Sequence, residues 1–186
     1  MSNTDVFITN IAAFLPNAAV ENSAMESVLG QVGPKPSRAR RTILRSNGIK
    51  QRYYAIDPAT GKHNYTNASL TAAAAKSLET ERFSLDDAQC LACGTSIADQ
   101  LMPNHAVMVQ GELGLNACEV VATAGVCLAG MTALKYAYAA VRSGDHDNAI
   151  ASGSELASAS MSANNFSSES SVCLLYTSPS PRDKTV

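Results

Sequence analysis

Tryptophan is absent from the 186-residue sequence, and aromatic residues make up only 5% of it. Single-stranded nucleic acid is bound on stacked aromatic platforms, so that class of binder is disfavoured. Charge is scarce as well: 16% of residues are charged, against a usual share of about 25%. A net charge of −2 and a pI near 5.9 lack the basic excess of a general nucleic-acid binder. No apolar run approaches the roughly 20 residues that a helix needs to span a bilayer. The opening MSNTDVFITN has neither the basic start nor the apolar stretch of a signal peptide. Neither GxGxxG nor GxxxxGKS/T occurs, so Gly-rich phosphate cradles are missing. Five cysteines, an odd number without a secretory signal, predict reduced thiols in the cytoplasm.

What is present is a large apolar fraction, 46%, in a length that suits one domain or a piece of a larger one. Val6 to Ile11 reads as a buried first strand. Ser23-Ala24-Met25-Glu26 has capping-box spacing and opens a helix that carries Val28 and Leu29. The stretch 33–52 loses apolar periodicity and reads as a basic, loop-rich insertion. Asn67 is placed to cap a helix through the alanines 72–75. Cys90-Leu91-Ala92-Cys93 suits a central strand, His105 to Leu113 a helix stopped by Gly114, and Val120-Val121-Ala122 a further strand. A long helix begins near Leu128, with Met131, Leu134, Tyr138 and Val141 on one face and Gly144 beyond its end. Asn148 to Gly153 reads as one more strand. Strands alternating with helices predict an α/β protein with a mostly parallel sheet and crossover helices.

Cys127 is the most informative residue. It follows a strand and a tight Ala124-Gly125 turn and stands in the first turn of the long helix. A helix start offers free N–H groups and partial positive charge, which favour thiolate over thiol. A nucleophile held at the carboxyl edge of a sheet is one reading of this position; a small buried hydrophobe is the other. Cys90 and Cys93 form a CxxC pair inside a strand, without a second pair or a Cys-His pair to complete a zinc site, so packing is expected. Cys118 begins a buried strand and reads the same way. His63, His105 and His146 are expected as solvated surface residues. Lys35, Arg38, Arg40, Arg41, Arg45, Lys50 and Arg52 hold half of the 14 basic residues. They read either as a solvated face or as a dock for phosphates or an acidic protein.

Several segments in order carry a family resemblance. Val6 to Pro16 (VFITNIAAFLP) is similar to an opening strand and its Y/F-L-P turn, and Ser46 to Arg52 to an R-T-G-I-x-x-R segment. Gly94-Thr95-Ser96 with Pro103, then Cys118 to Leu134 (CEVVATAGVCLAGMTAL), match the T-S…P segment beyond the second core strand and the nucleophile strand and helix. Arg142-Ser143-Gly144 and Gly153-Ser154-Glu155 match the markers S-G and G-S-E/D. Over residues 5–160 the chain thus resembles ketoacyl-acyl-carrier-protein synthase III and its relatives in the thiolase superfamily. The resemblance implies the N-terminal half of a thiolase-like fold, one half of an αβαβα layered architecture, in residues 1–171.

It further implies Cys127 as the nucleophile of a decarboxylative Claisen condensation between an acyl thioester and a malonyl-carrier thioester. The partners implied are acyl carrier protein or coenzyme A thioesters and a second copy in a homodimer, with no cofactor and no metal. Arg40, Arg41, Arg45 and Arg52 become candidate carrier contacts. Departures from the family are Val126 and Leu128 flanking the cysteine, and Thr42 and Ser46 where many members hold adenine with tryptophan and arginine. These favour a carrier-bound acyl group. The alternatives are another thiolase-fold enzyme (a thiolase, a hydroxymethylglutaryl-type or a polyketide-type synthase) or a non-catalytic acyl-binding subunit. The histidine and asparagine that complete the family's site lie in the second half of the fold, and no motif of that half occurs before residue 186. The chain therefore reads as an N-terminal fragment, inactive alone. Residues 172–186, which resemble translated adaptor sequence, are expected as a non-native, disordered tail.

Overall fold

The computed structural model describes residues 5–35 and 40–165. The proposed tail and Cys173 lie outside them. In chain order the elements are β1 (Val20–Glu21), α1 (Met25–Leu29), α2 (Arg40–Asn47) and β2 (Gln51–Arg52). There follow α3 (Asn67–Lys76), β3 (Cys90–Gly94), α4 (His105–Leu113), β4 (Glu119–Thr123), α5 (Ala129–Ser143), β5 (Ile150–Gly153) and α6 (Ala157–Ser160). No helix among the described residues is long and apolar enough to cross a membrane.

The described residues divide into two compact units, 5–15 with 66–155, and 16–35 and 40–65 with 156–165. The second unit pairs β1 with β2 antiparallel and packs Met25, Leu29, Tyr54 and Ile56 around Ile43 and Leu44 of α2. The helix α2 corrects the loop reading of 33–52. Its two apolar residues lie among arginines and show no face in the sequence, and their partial burial against the cluster of Met25, Leu29, Tyr54 and Ile56 holds the helix. Ser23 is not the cap of α1: Ala24 holds that place without a side-chain bond, and Glu26 instead ion-pairs Arg40 at 3.6 Å.

The first unit holds a parallel three-stranded sheet in the order β4-β3-β5, with Leu91 opposite Val120 and Ile150. Every residue of β3 is buried, which is why it reads as an unbroken small and apolar run. Alternation sends Leu91, Cys93, Val120 and Ile150 to one face, where they meet Ala68 of α3 and Ala106 and Val109 of α4. Ala92, Val121 and Ala151 take the other face and meet Ala133 and Ala137 of α5. Burying a side chain such as Leu91 or Val109 contributes roughly 1.5–3 kcal/mol. The cap of α3 is Thr66, closed by Ser69 in a capping box, one residue before the expected Asn67. Val6 to Ile11 forms no strand. The described sheet has no ladder for it, and Phe7, Ile8 and Ile11 are exposed.

Three glycines set how closely α5 lies on the sheet. A Cβ on Gly94 would stand 2.3 Å from the carbonyl carbon and oxygen of Ala129 and 2.6 Å from the Gly130 nitrogen. A Cβ on Gly130 or on Gly153 would stand 3.1 Å from the other's Cα. Gly111 in α4 meets nothing within 4 Å. We therefore expect Gly94→Ala to destabilise the fold by about 2–3 kcal/mol or more through overpacking against backbone. Gly111→Ala should be neutral or gain about 0.5–1 kcal/mol of helix propensity. Urea denaturation of the two variants checks both; equal stabilities would contradict the packing assigned to Gly94.

Candidate active site

The chain leaves β4 at Thr123 and enters α5 at Ala129 through a short 3₁₀ turn, Val126–Leu128. Cys127 is the middle residue of that turn and is exposed. The turn is strained, since Val126, a β-branched residue, takes φ 50°. Such a conformation costs on the order of 1–3 kcal/mol and persists only where the surroundings impose it. Here the Thr123 hydroxyl donates to the Ala129 carbonyl at 2.8 Å, and the Leu128 N–H donates to the Gly125 carbonyl at 3.0 Å. Strand end and helix start are thereby tied across the turn. Leu128, at the N-cap of α5, makes no side-chain bond to the first helical N–H groups. The junction expected from sequence is present, with the helix starting two residues after Cys127.

Around the same carboxyl edge runs a polar shelf. Asn67 donates to the Thr95 hydroxyl at 2.7 Å and to the Ile97 carbonyl at 3.0 Å. Asp99 caps α3 from outside the helix, accepting from the N–H groups of Asn67 and Ala68 at 2.7 and 2.9 Å. Glu155 accepts from the N–H groups of Ser96 and Ile97 at 2.9 and 3.2 Å. Thr71 donates to Ser154 at 2.6 Å, and His105 Nε2 lies 3.1 Å from the Ser154 hydroxyl and 3.3 Å from that of Thr71. His105 is 2% exposed, which corrects its reading as a surface residue. Burial drives its pKa down, against the smaller opposing pull of Asp99 and Glu155. The sequence signals this shelf only through the Thr95-Ser96 and Gly153-Ser154-Glu155 markers; nothing in it announces His105 or Asn67.

The opposite, amino edge of the sheet carries a second constellation. Tyr136 donates to Glu119 Oε1 at 2.6 Å, and His146 Nε2 lies 2.7 Å from Glu119 Oε2. These bonds hold the Glu119 carboxyl below its usual range and push the Tyr136 hydroxyl up to about 12. Cys90 faces Glu119 in register at the start of β3. His146 is thus paired rather than simply solvated, while His63 is exposed.

The four candidate arginines have different surroundings. Arg52 is 5% exposed and donates to Asn22 Oδ1 at 2.6 Å and towards Met25 Sδ at 3.3 Å. Arg40 donates to the Asn22 carbonyl and pairs with Glu26. Both guanidinium groups bond within the second unit. Arg41 and Arg45 are exposed on α2.

The other thiols contrast with Cys127. Cys90 and Cys93 are 0% exposed, and burial pushes both up to about 11. Cys118 is half-buried, because β4 is an edge strand, and burial raises it too. At neutral pH, iodoacetamide should modify Cys127 on the order of 10-fold or more faster than Cys90 or Cys93, since the thiolate is the reacting form and access is needed. Peptide mapping of the folded 186-residue chain checks this; earlier labelling of Cys90 or Cys93 would contradict it.

No family model matches the chain. It is 30% identical over 142 residues to beta-ketoacyl-(acyl-carrier-protein) synthase III of Ruegeria sp. (strain TM1040), covering 76% of this chain and 40% of the relative. Among solved structures, the Thermus thermophilus beta-ketoacyl-(acyl carrier protein) synthase III superposes with a TM-score of 0.61 at 24% identity, covering 80% of this chain and 42% of that one. The corresponding 3-oxoacyl-(acyl carrier protein) synthase III of Pseudomonas aeruginosa PAO1 gives 0.62 at 16% identity, covering 88% and 45%. The architecture is one half of a thiolase-like fold. In sequence and fold the chain is thus similar to part of the synthase III enzymes, and it spans less than half the length of these relatives.

Proposed function

We propose that Cys127 is the acyl-accepting nucleophile of a decarboxylative condensing acyltransferase, and that residues 1–171 are the amino-terminal half of its catalytic domain. The observation that carries the reading is the exposed thiol on a strained strand-to-helix turn, in a chain whose relatives are synthase III enzymes. The thiolate attacks the carbonyl carbon of an acyl thioester, and the tetrahedral intermediate expels the carrier thiolate, which takes up a proton. A malonyl thioester then loses carbon dioxide, and the resulting enolate carbon attacks the acyl carbonyl and releases the Cys127 thiolate. The Cys127 N–H is the candidate donor to the acyl oxyanion; the donors for the enolate are assigned to the second half. Cytoplasmic location and a homodimer belong to the same proposal.

An apolar surface supports the division into halves. Leu128 is 67% and Met131 61% exposed, with Leu134 and Tyr138 beside them on the face of α5 turned away from the sheet. Small alanines serve the sheet face, so the large residues are there for another surface to cover. Exposed Arg41 and Arg45 are the remaining candidates for an acidic carrier protein.

The test follows thiol release from an acyl thioester. Wild-type chain should release carrier thiol and Cys127→Ala should not, with a rate lower by on the order of 10³-fold or more. Charge reversal at Arg41 and Arg45 should slow the carrier-bound substrate and leave a coenzyme A thioester unaffected. The 186-residue chain should form no condensation product from an acyl and a malonyl thioester. Thiol release by Cys127→Ala at the wild-type rate would overturn the nucleophile; condensation by this chain alone would overturn the division into halves.

A further inference from the structure

At the amino edge of the sheet, remote along β4 from the Cys127 turn, three chemically distinct ligand groups converge. Cys90 begins β3, Glu119 begins β4, and His146 lies in the loop after α5. The Cys90 Sγ, a Glu119 carboxylate oxygen and a His146 ring nitrogen all lie within 4.8 Å of one another. We propose that these three residues bind one divalent cation of the zinc class, with the fourth position open to water.

The donor set selects the ion. Magnesium and calcium take oxygen ligands, whereas one thiolate, one imidazole and one carboxylate are the mixture that suits zinc. Three protein ligands with an open fourth place is the arrangement of an accessible rather than a closed site. Charge balances: a dication meets one thiolate, one carboxylate and a neutral imidazole, so a neutral complex forms at the sheet edge. In the binding step the Cys90 thiol loses its proton to solvent, the His146 ring moves its proton from Nε2 to Nδ1 through solvent, and the sulfur–metal and nitrogen–metal bonds form.

Geometry requires only small movements. Bonds of about 2.0–2.3 Å put tetrahedral ligands roughly 3.3–3.7 Å apart. With all three atoms within 4.8 Å, no separation must close by more than about 1.5 Å, and the 2.7 Å contact between Glu119 and His146 must open by roughly 0.6–1 Å. His146 is on a loop and Glu119 is on an edge strand, so each has freedom to move. Tyr136 supplies the outer support such sites need: its hydroxyl donates to Glu119 Oε1 and leaves Oε2 for the ion. A surface recess lined by Glu119, Tyr136, Ser143, Asp145 and His146 gives the entry path. The sequence conceals this site, because its ligands sit singly on three segments and match no short metal motif.

Cobalt(II) is the probe, since a thiolate ligand in a tetrahedral site gives a near-ultraviolet charge-transfer band and intense visible bands. Added to the full 186-residue chain, it should give both bands at one equivalent, and zinc should displace it. Cys90→Ser should abolish the charge-transfer band. His146→Ala, a loop substitution verified as folded by circular dichroism, should weaken zinc binding by more than about 10-fold. Cys127→Ser should leave the spectrum unchanged. Absence of both bands in the wild type, bands that disappear in Cys127→Ser, or undiminished zinc affinity in His146→Ala would each overturn the site.

Discussion

The backbone of α5 touches the backbone of the sheet at Gly94, Gly130 and Gly153, with no room for a single methyl group at the first of these. That approach fixes where the helix can begin. With β4 ending at Thr123 and α5 starting at Ala129, the intervening residues must turn within a short span. Val126 takes its unfavourable conformation there, and the Thr123 hydroxyl locks the turn onto the Ala129 carbonyl. Cys127 owes its exposed position to this constraint more than to its own contacts. The alanine stripe of α5 serves the same end, since small side chains bring the helix near enough for the glycines to matter.

The sheet then separates two kinds of polar chemistry. At its carboxyl edge, buried Asn67, Thr71, Thr95 and His105 are bonded into a shelf by Asp99, Ser154 and Glu155. Buried polar groups are tolerated when bonded, so the shelf stiffens the loops beside the Cys127 turn. At its amino edge, Cys90, Glu119, Tyr136 and His146 gather where β3 and β4 begin. The residues that hold the fold, chiefly Leu91, Cys93, Val109 and Ile150, lie between the two.

The elements legible in the sequence are those whose signals are local. Strand β3 is a continuous apolar run, α4 ends at a glycine in the left-handed conformation, and the β4–α5 passage combines an apolar strand, Ala-Gly and a long helical period. What was not legible depends on partners far along the chain. Helix α2 is held by Met25 and Tyr54, and no window of its own sequence shows that. Val6 to Ile11 has strand composition without a ladder to join, and composition cannot supply one. His105 opens a helix like many surface histidines; only the fold brings Thr71 and Ser154 against it. That Asn22 and Glu26 engage Arg40 and Arg52 is equally hidden from the sequence.

The strained turn is proposed to present Cys127, and no other thiol among the described residues, to an acyl thioester. The most direct test is peptide-resolved mass spectrometry of the folded chain after incubation with an acyl thioester at neutral pH. The account predicts one acyl group, on the peptide that contains Cys127. An adduct on the peptides of Cys90, Cys93 or Cys118, or an unmodified Cys127 in a folded chain, would contradict it.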